Sequence, residues 1–220
     1  MATLRAQKRA LRKATATALR ALSSADIQVQ SQEVVSRVIA SPFFRDSRTV
    51  SCYLNMPDGE VDTSNLVASI LQAGKTLYVP KIDVTVDGKM DFLKIYGAED
   101  LRSLPSGTWG IKEPQREWQG GKRDNALEAS SDTLDLILLP GVAFDHSLSR
   151  LGHGKGYYDR FISAYTSING RKPLLVALAL RPQILDDGKV PTGQHDWKMD
   201  VIVGPDYILT NDQASNPLSS

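Results

Sequence analysis

Leu139-Pro-Gly-Val-Ala-Phe-Asp145, running on into Arg150-Leu-Gly-His-Gly-Lys-Gly-Tyr-Tyr-Asp159, decides how this chain is read. Gly152, Gly154 and Gly156 stand at alternate positions around Lys155, with Arg150 just before them and Tyr-Tyr-Asp where a helix begins. Glycine admits positive φ and lets a ligand come close to main-chain N–H groups. Successive N–H groups in such a turn form an anion-binding nest, and a helix N-terminus adds partial positive charge. Arg150 and Lys155 supply full charges, and Asp159 has the hard oxygens that suit a metal accompanying phosphate. A surface turn that merely needs glycines is the plainer alternative. The spacing excludes two well-known loops. A Walker loop ends in Gly-Lys followed by Ser or Thr, whereas Gly156 follows Lys155 here. The dinucleotide fingerprint wants its third glycine three positions after the second, and Gly156 comes two after Gly154.

Outward from this run, Leu134 to Leu139 is nearly all apolar, as in a parallel strand buried on both faces. Phe161 to Tyr165 continues the helix, Leu174 to Leu180 reads as another buried strand, and Val201 to Val203 with Tyr207 to Leu209 close the domain. Upstream, Ser23-Ser-Ala-Asp26 is a capping box before a helix with Val34, Val35, Val38 and Ile39 on one face, ended by Pro42. Thr49 to Leu54 reads as the first strand. Thr63 caps a helix running to Gly74, Leu77 to Pro80 is a second strand, and Asp87-Gly88 turns the chain into a third from Met90 to Tyr96. Ser103 to Ser131, rich in Gly, Pro and charge, reads as a long connecting loop. Strands alternating with helices predict an α/β fold. We expect a single three-layer α/β/α domain over residues 1–210 with a mostly parallel central sheet, then a polar tail from 211 to 220. Ligands in such folds bind beyond the carboxyl ends of the strands, where 53–60, 145–159 and Asp196 emerge.

The chain has 220 residues, 41% of them apolar and 23% charged, enough to bury a sizeable core. A net charge of +1 gives no basic field for nucleic acid, and no apolar run reaches the roughly 18 residues needed to span a membrane. The single cysteine, Cys52, fits a reducing compartment, and a cytoplasmic location is expected; separately, we expect a monomer. Residues 1–25 carry six Lys and Arg and no acid, as a mitochondrial presequence does. At 100° per residue, however, Leu4, Leu11, Ala18 and Leu22 share a stripe, bordered by Arg5, Lys8 and Arg12, while Arg9, Lys13 and Arg20 point away. A helix over residues 1–22, docked by that stripe, aims the border cations along the protein surface.

Pro140-Gly-Val-Ala-Phe-Asp145 followed by Arg150-Leu-Gly-His-Gly-Lys-Gly-Tyr-Tyr-Asp-Arg160 resembles the signature of the 5-formyltetrahydrofolate cyclo-ligases, also called 5,10-methenyltetrahydrofolate synthetases. Lys8-Arg-Ala-Leu-Arg12 is similar to the family's N-terminal basic element, and Tyr53-Leu-Asn-Met56 with Glu60-Val-Asp-Thr63 to its first strand and acidic residue. Leu104 to Pro114 resembles its connecting segment, and His195-Asp196 its C-terminal acidic pair; Gln194 stands where many members have an acid. The resemblance implies ATP-dependent cyclisation of 5-formyltetrahydrofolate with Mg²⁺. It implies nucleotide contacts from Lys8, Arg9, Arg12, Arg150, Gly152, His153, Gly154, Lys155, Gly156, Tyr157 and Tyr158, with Lys155, Arg150 and Tyr157 catalytic. Leu54, Met56, Glu60, Trp109 and Tyr157 would bind the folate, and Asp159 and Asp196 the metal. Plainer roles stand beside these: Asp159 capping its helix, Asp196 and Glu60 solvated, Asp145 and His195 fixing loops. A non-catalytic folate or nucleotide binder, or an isomerase or CoA-transferase relative, are the alternatives. The first would most simply lack Lys155, Tyr157 or Asp159, and the second would not need Lys8 and Arg12.

Overall fold

The computed structural model describes residues 2–57, 59–107, 110–128 and 132–211, so Trp109 and most of the expected polar tail lie outside the described residues. Helix α1 (Leu4–Arg20) leads to α2 (Ser24–Ala40) and the short α3 (Pro42–Asp46), then β1 (Thr49–Cys52), α4 (Ser64–Gln72) and the hairpin β2 (Thr76–Asp83) and β3 (Lys89–Ile95). Next come α5 (Ala98–Ser103), the ribbon β4 (Glu117–Trp118) and β5 (Gly121–Lys122), and β6 (Leu136–Leu139). Then follow β7 (Ala143–Asp145), β8 (Arg150–Leu151), α6 (Tyr157–Asn169), β9 (Leu174–Leu178), β10 (Ile184–Leu185), β11 (Val201–Val203) and β12 (Ile208–Thr210).

A seven-stranded sheet runs β12-β11-β9-β6-β1-β2-β3, parallel from β11 to β2 and antiparallel at both edges. Alternation along β6 divides the core. Leu136 and Leu138 join Val34, Val38, Leu66 and Ile70 of α2 and α4, while Ile137 and Leu139 join Phe161, Ile162 and Tyr165 of α6. Helices therefore cover both faces, the expected three layers. From β1 the chain crosses through α4 to β2, and from β6 through α6 to β9 on the other side. The crevice beyond β1 and β6 is thus a topological switch point, where α/β sheets hold ligands.

Several local expectations change. The Ser23–Asp26 capping box is present, but Ile39 is 41% exposed while Val34, Val35 and Val38 are buried. Thr63 is the N-cap residue of α4, but its side chain makes no cap bond, because its hydroxyl donates to Tyr53 O; Asp62 accepts from the Ser64 N–H instead. Strand β1 stops at Cys52, two residues early, and β2 extends to Asp83 because β3 pairs with its whole length. The expected loop from 103 contains the β4–β5 ribbon, and α5 precedes it. A small sheet, β10-β7-β8, underlies the Gly-rich run. Helix α1 docks on a face one step round from the expected stripe: Thr15 is buried and Leu11, Leu19 and Leu22 pack inward, whereas Leu4 and Ala18 are exposed. That rotation puts Lys8 and Arg12 on the docked face itself.

Candidate active site

The strand β7 and its turn hold the Gly-rich run in place. Asp145 is fully buried and accepts from the N–H groups of Ser149 (3.1 Å) and Val190 (2.8 Å), the loop-fixing role expected of it. Beyond β8 the backbone takes φ +107° at Gly154 and +69° at Gly156, conformations that L side chains rarely adopt. Gly156 is the residue before α6, and no side chain caps the first turn of that helix. A Cβ on Gly154 would stand 3.4 Å from the Arg12 guanidinium, so glycine there also lets α1 approach.

Arg12 donates from Nε to Gly152 O at 2.8 Å, and Lys8 pairs with Asp196, whose Oδ2 also accepts from the Gly193 N–H at 2.6 Å. Although burial alone would raise the Asp196 carboxyl, hydrogen bonds from Lys8 and Gly193 and the charges of Lys8 and Arg150 hold it below the ordinary range. Arg150 is buried. It donates to Asp159 Oδ2 (2.9 Å) and Pro140 O (3.2 Å) and lies over the Tyr158 ring. Its Nε is buried and makes no hydrogen bond. Asp159 Oδ1 accepts from the Trp197 N–H at 3.0 Å, so the two expected metal carboxylates sit on adjoining segments. Lys155 is 61% exposed, 3.7 Å from Asp87 of the β2–β3 turn. His153 has its pKa pushed down by desolvation and by Arg12 and Arg150, which makes it a neutral imidazole beside cations.

This loop forms one wall of a cavity of about 480 Å³. The other walls include Tyr53, Leu54, Met56 and Glu60 from beyond β1, Pro80, Ile82 and Met90 from the β2–β3 hairpin, and Ile111 to Glu113. Glu60 is 7% exposed and accepts from the Met56 N–H at 3.0 Å. Burial, only partly offset by that bond, pushes its pKa up to about 7. A second cavity of about 460 Å³ lies beneath α1 and shares Met56 and His153 with the first.

The structure therefore brings Leu54, Met56, Glu60, Arg150, Gly152, His153, Lys155, Gly156, Tyr157, Tyr158 and Asp159 onto one cavity, with Gly154, Lys8, Arg12 and Asp196 at its margin. Arg9 is exposed and lines neither cavity. Arg20, expected to face away, lines the second cavity beside Arg12. His195 is exposed and bonded to Gln194. The hairpin residues, Tyr53 and Glu113 were missed. Pro80, Ile82 and Met90 read as core strand residues, Tyr53 as the end of the first strand, and Glu113 as part of a charged loop; only the tertiary fold brings them to the cleft.

The fold and cleft define a mostly parallel α/β protein with a cationic, Gly-rich loop facing an apolar pocket that holds a buried carboxyl group. The sequence pattern of the 5-formyltetrahydrofolate cyclo-ligase family matches residues 4–205. The chain is 35% identical to the 5-formyltetrahydrofolate cyclo-ligase of Mus musculus over 93% of its length and 96% of that protein's. It is 34% identical to the mitochondrial 5-formyltetrahydrofolate cyclo-ligase of Arabidopsis thaliana over 92% of its length and 76% of that protein's. Among solved structures, the NMR structure of Aquifex aeolicus 5,10-methenyltetrahydrofolate synthetase superposes with a TM-score of 0.73 at 29% identity, covering 97% and 95% of the two chains. The chain belongs to the 5-formyltetrahydrofolate cyclo-ligase family.

Proposed function

We propose that this chain closes 5-formyltetrahydrofolate to 5,10-methenyltetrahydrofolate at the expense of ATP, using the cleft between α1, the Gly-rich loop and the β2–β3 hairpin. The observation that carries the reading is the meeting of the Gly-rich loop, with Arg150 and Lys155, and Arg12 of α1 at the edge of the cavity that buries Glu60. The formyl oxygen attacks the γ-phosphorus and ADP leaves, which gives an iminium phosphate. N10 then attacks the activated carbon and loses its proton, the ring closes, and phosphate departs with the former formyl oxygen. No side-chain nucleophile is needed, so the protein's share is positioning and charge neutralisation.

Lys155, Arg150, Lys8 and Arg12 bind the polyphosphate, the Gly152–Gly156 backbone follows it, and Tyr157 closes the cavity wall where the two substrates meet. Glu60 accepts from the pterin N–H groups, with Leu54 and Met56 against the ring. Asp159 and Asp196 fit a magnesium site of the usual kind, in which one or two carboxylates are joined by phosphates and water. Each is now paired with a cation, Arg150 and Lys8, that can turn to phosphate as its carboxylate turns to metal. The metal would supply charge neutralisation at the phosphates. Because Lys8 and Arg12 reach the cleft, α1 belongs to the working protein. Among the described residues no helix is long and apolar enough to cross a membrane.

The test is a spectrophotometric assay for the methenyl product from 5-formyltetrahydrofolate. Product should form only with ATP and magnesium together. Equal turnover without ATP would overturn the reaction, and equal turnover in excess chelator would overturn the metal assignment.

A further inference from the structure

The segment from Leu104 to Pro114 carries a feature that the scheme above does not use. Its backbone folds on itself: Gly107 N–H donates to Ile111 O at 2.7 Å, Glu113 N–H to Pro105 O at 3.1 Å, and Ser106 bridges Lys112. The fold turns Glu113 into the 480 Å³ cavity, where it is only 5% exposed. Its carboxylate meets Lys81 Nζ at 2.9 Å through Oε2. Lys81 lies on β2 between Pro80 and Ile82, which themselves line the cavity.

Stability gives a poor account of this arrangement. Only the carboxylate of this pair is buried, since Lys81 is 27% exposed, and desolvating that carboxylate offsets much of the attraction. Nor is the position undemanding. A Cβ on Gly107 would stand 2.9 Å from Cγ, Cδ and Oε2 of Glu113, so the carboxylate occupies a niche that only glycine leaves open. A carboxylate offers about four acceptor positions on two oxygens, and Lys81 takes one. In a mostly apolar cavity the few polar groups fix the orientation of the ligand. Arg150, His153, Lys155 and Asp159 belong to the phosphate wall. Away from it the cavity presents Glu60 from one connection and Lys112 with Glu113 from another.

We propose that Glu113 is a second substrate-binding carboxylate, which accepts hydrogen bonds from N–H donors of the reduced pterin ring while Lys81 holds it in place. This rests on the cyclo-ligase reading. The ring of 5-formyltetrahydrofolate carries donors at its 2-amino group, N3 and N8. Two carboxylates from separate segments, Glu60 and Glu113, can grip such a ring at two points, whereas one alone leaves it free to pivot.

The experiment compares wild type, Glu113→Gln and Lys81→Met. It measures the affinity for 5-formyltetrahydrofolate without ATP by titration calorimetry, KM for both substrates, and the melting temperature. Glu113→Gln should weaken folate binding and raise the folate KM roughly tenfold or more, as loss of a charged hydrogen bond does. Its ATP KM should stay within about twofold of wild type. Lys81→Met should chiefly lower the melting temperature, since it leaves a buried carboxylate without its cation. If Glu113→Gln itself melts early, Gly107→Ala serves in its place, because the added Cβ displaces the carboxylate without removing it. Wild-type folate affinity in Glu113→Gln, or in Gly107→Ala where that variant replaces it, would overturn the proposal. So would parallel losses of stability and of both KM values in Glu113→Gln and Lys81→Met, since those describe a loop anchor. Wild-type protein that neither binds nor cyclises 5-formyltetrahydrofolate would overturn the parent reading as well, which separates the two failures.

Discussion

On the α1 side of the cleft charge is plentiful and already matched: Lys8 with Asp196, Arg150 with Asp159, and Lys155 near Asp87. On the side beyond β1, Glu60 is buried among Tyr53, Leu54 and Met56 with one backbone N–H for company. The first half holds Lys8, Arg150 and Lys155 in ion pairs with carboxylates. In the second half desolvation dominates, and it raises the pKa of the Glu60 carboxyl. The contrast teaches where a substitution should cost rate and where it should change pH behaviour.

The largest effect should come from the most exposed cation. Lys155→Ala should lower kcat/KM by one to two decades, the loss expected for a charged hydrogen bond of roughly 1.5–3 kcal/mol. The protein should still melt as wild type does, because Lys155 is 61% exposed and its one ion pair, with Asp87, is exposed too. Steady-state kinetics beside a melting curve checks this. A variant that keeps wild-type turnover, or one that unfolds, removes Lys155 from the phosphate half.

Next comes α1. Arg12→Ala should raise the ATP KM about tenfold, since Arg12 reaches Gly152 O from the docked face. Lys13→Ala, one residue on and exposed, should leave that KM within twofold. Equal effects from both would mean that α1 acts only through its net charge.

The α1 contrast also shows what could be read before any coordinates. The helix was legible, and so was the reach of Lys8 and Arg12 along the surface, because an acid-free amphipathic segment has few other uses. Its docked face was not, since Thr15, a polar residue, sits at the centre of the contact and Leu4 does not. The Gly-rich loop, the parallel sheet and Asp145 followed from short-range pattern and chemistry. The β2–β3 hairpin wall did not. The Asp87-Gly88 turn was legible, but Pro80, Ile82 and Met90 look like ordinary strand residues, and which of them border a cavity depends on segments distant in sequence. The niche for Glu113 was hidden for a similar reason: Gly107 and Glu113 meet only because the segment between them folds back.

The smallest effect tests the desolvated half most directly. The Glu60 carboxyl is raised from 4.5 to about 7 by burial, so the folded chain holds a proton there that the unfolded chain has lost over that window. Where the folded state binds more protons, stability falls as pH rises, so the contribution is full below pH 4.5 and gone above about 7. A shift of that size amounts to about 3 kcal/mol at most. Glu60→Gln cannot ionise, so its melting temperature should match wild type near pH 5 and exceed it by a few degrees at pH 8. Binding should run the other way. An ionised Glu60 is the better acceptor for pterin N–H groups, so the wild-type folate KM should rise several-fold as pH falls through about 7. Glu60→Gln should show a higher folate KM with no such pH dependence. Parallel melting curves for wild type and Glu60→Gln across pH 5 to 8, with a flat wild-type folate KM, would show that Glu60 is solvated after all and that the two halves of the cleft do not differ in kind.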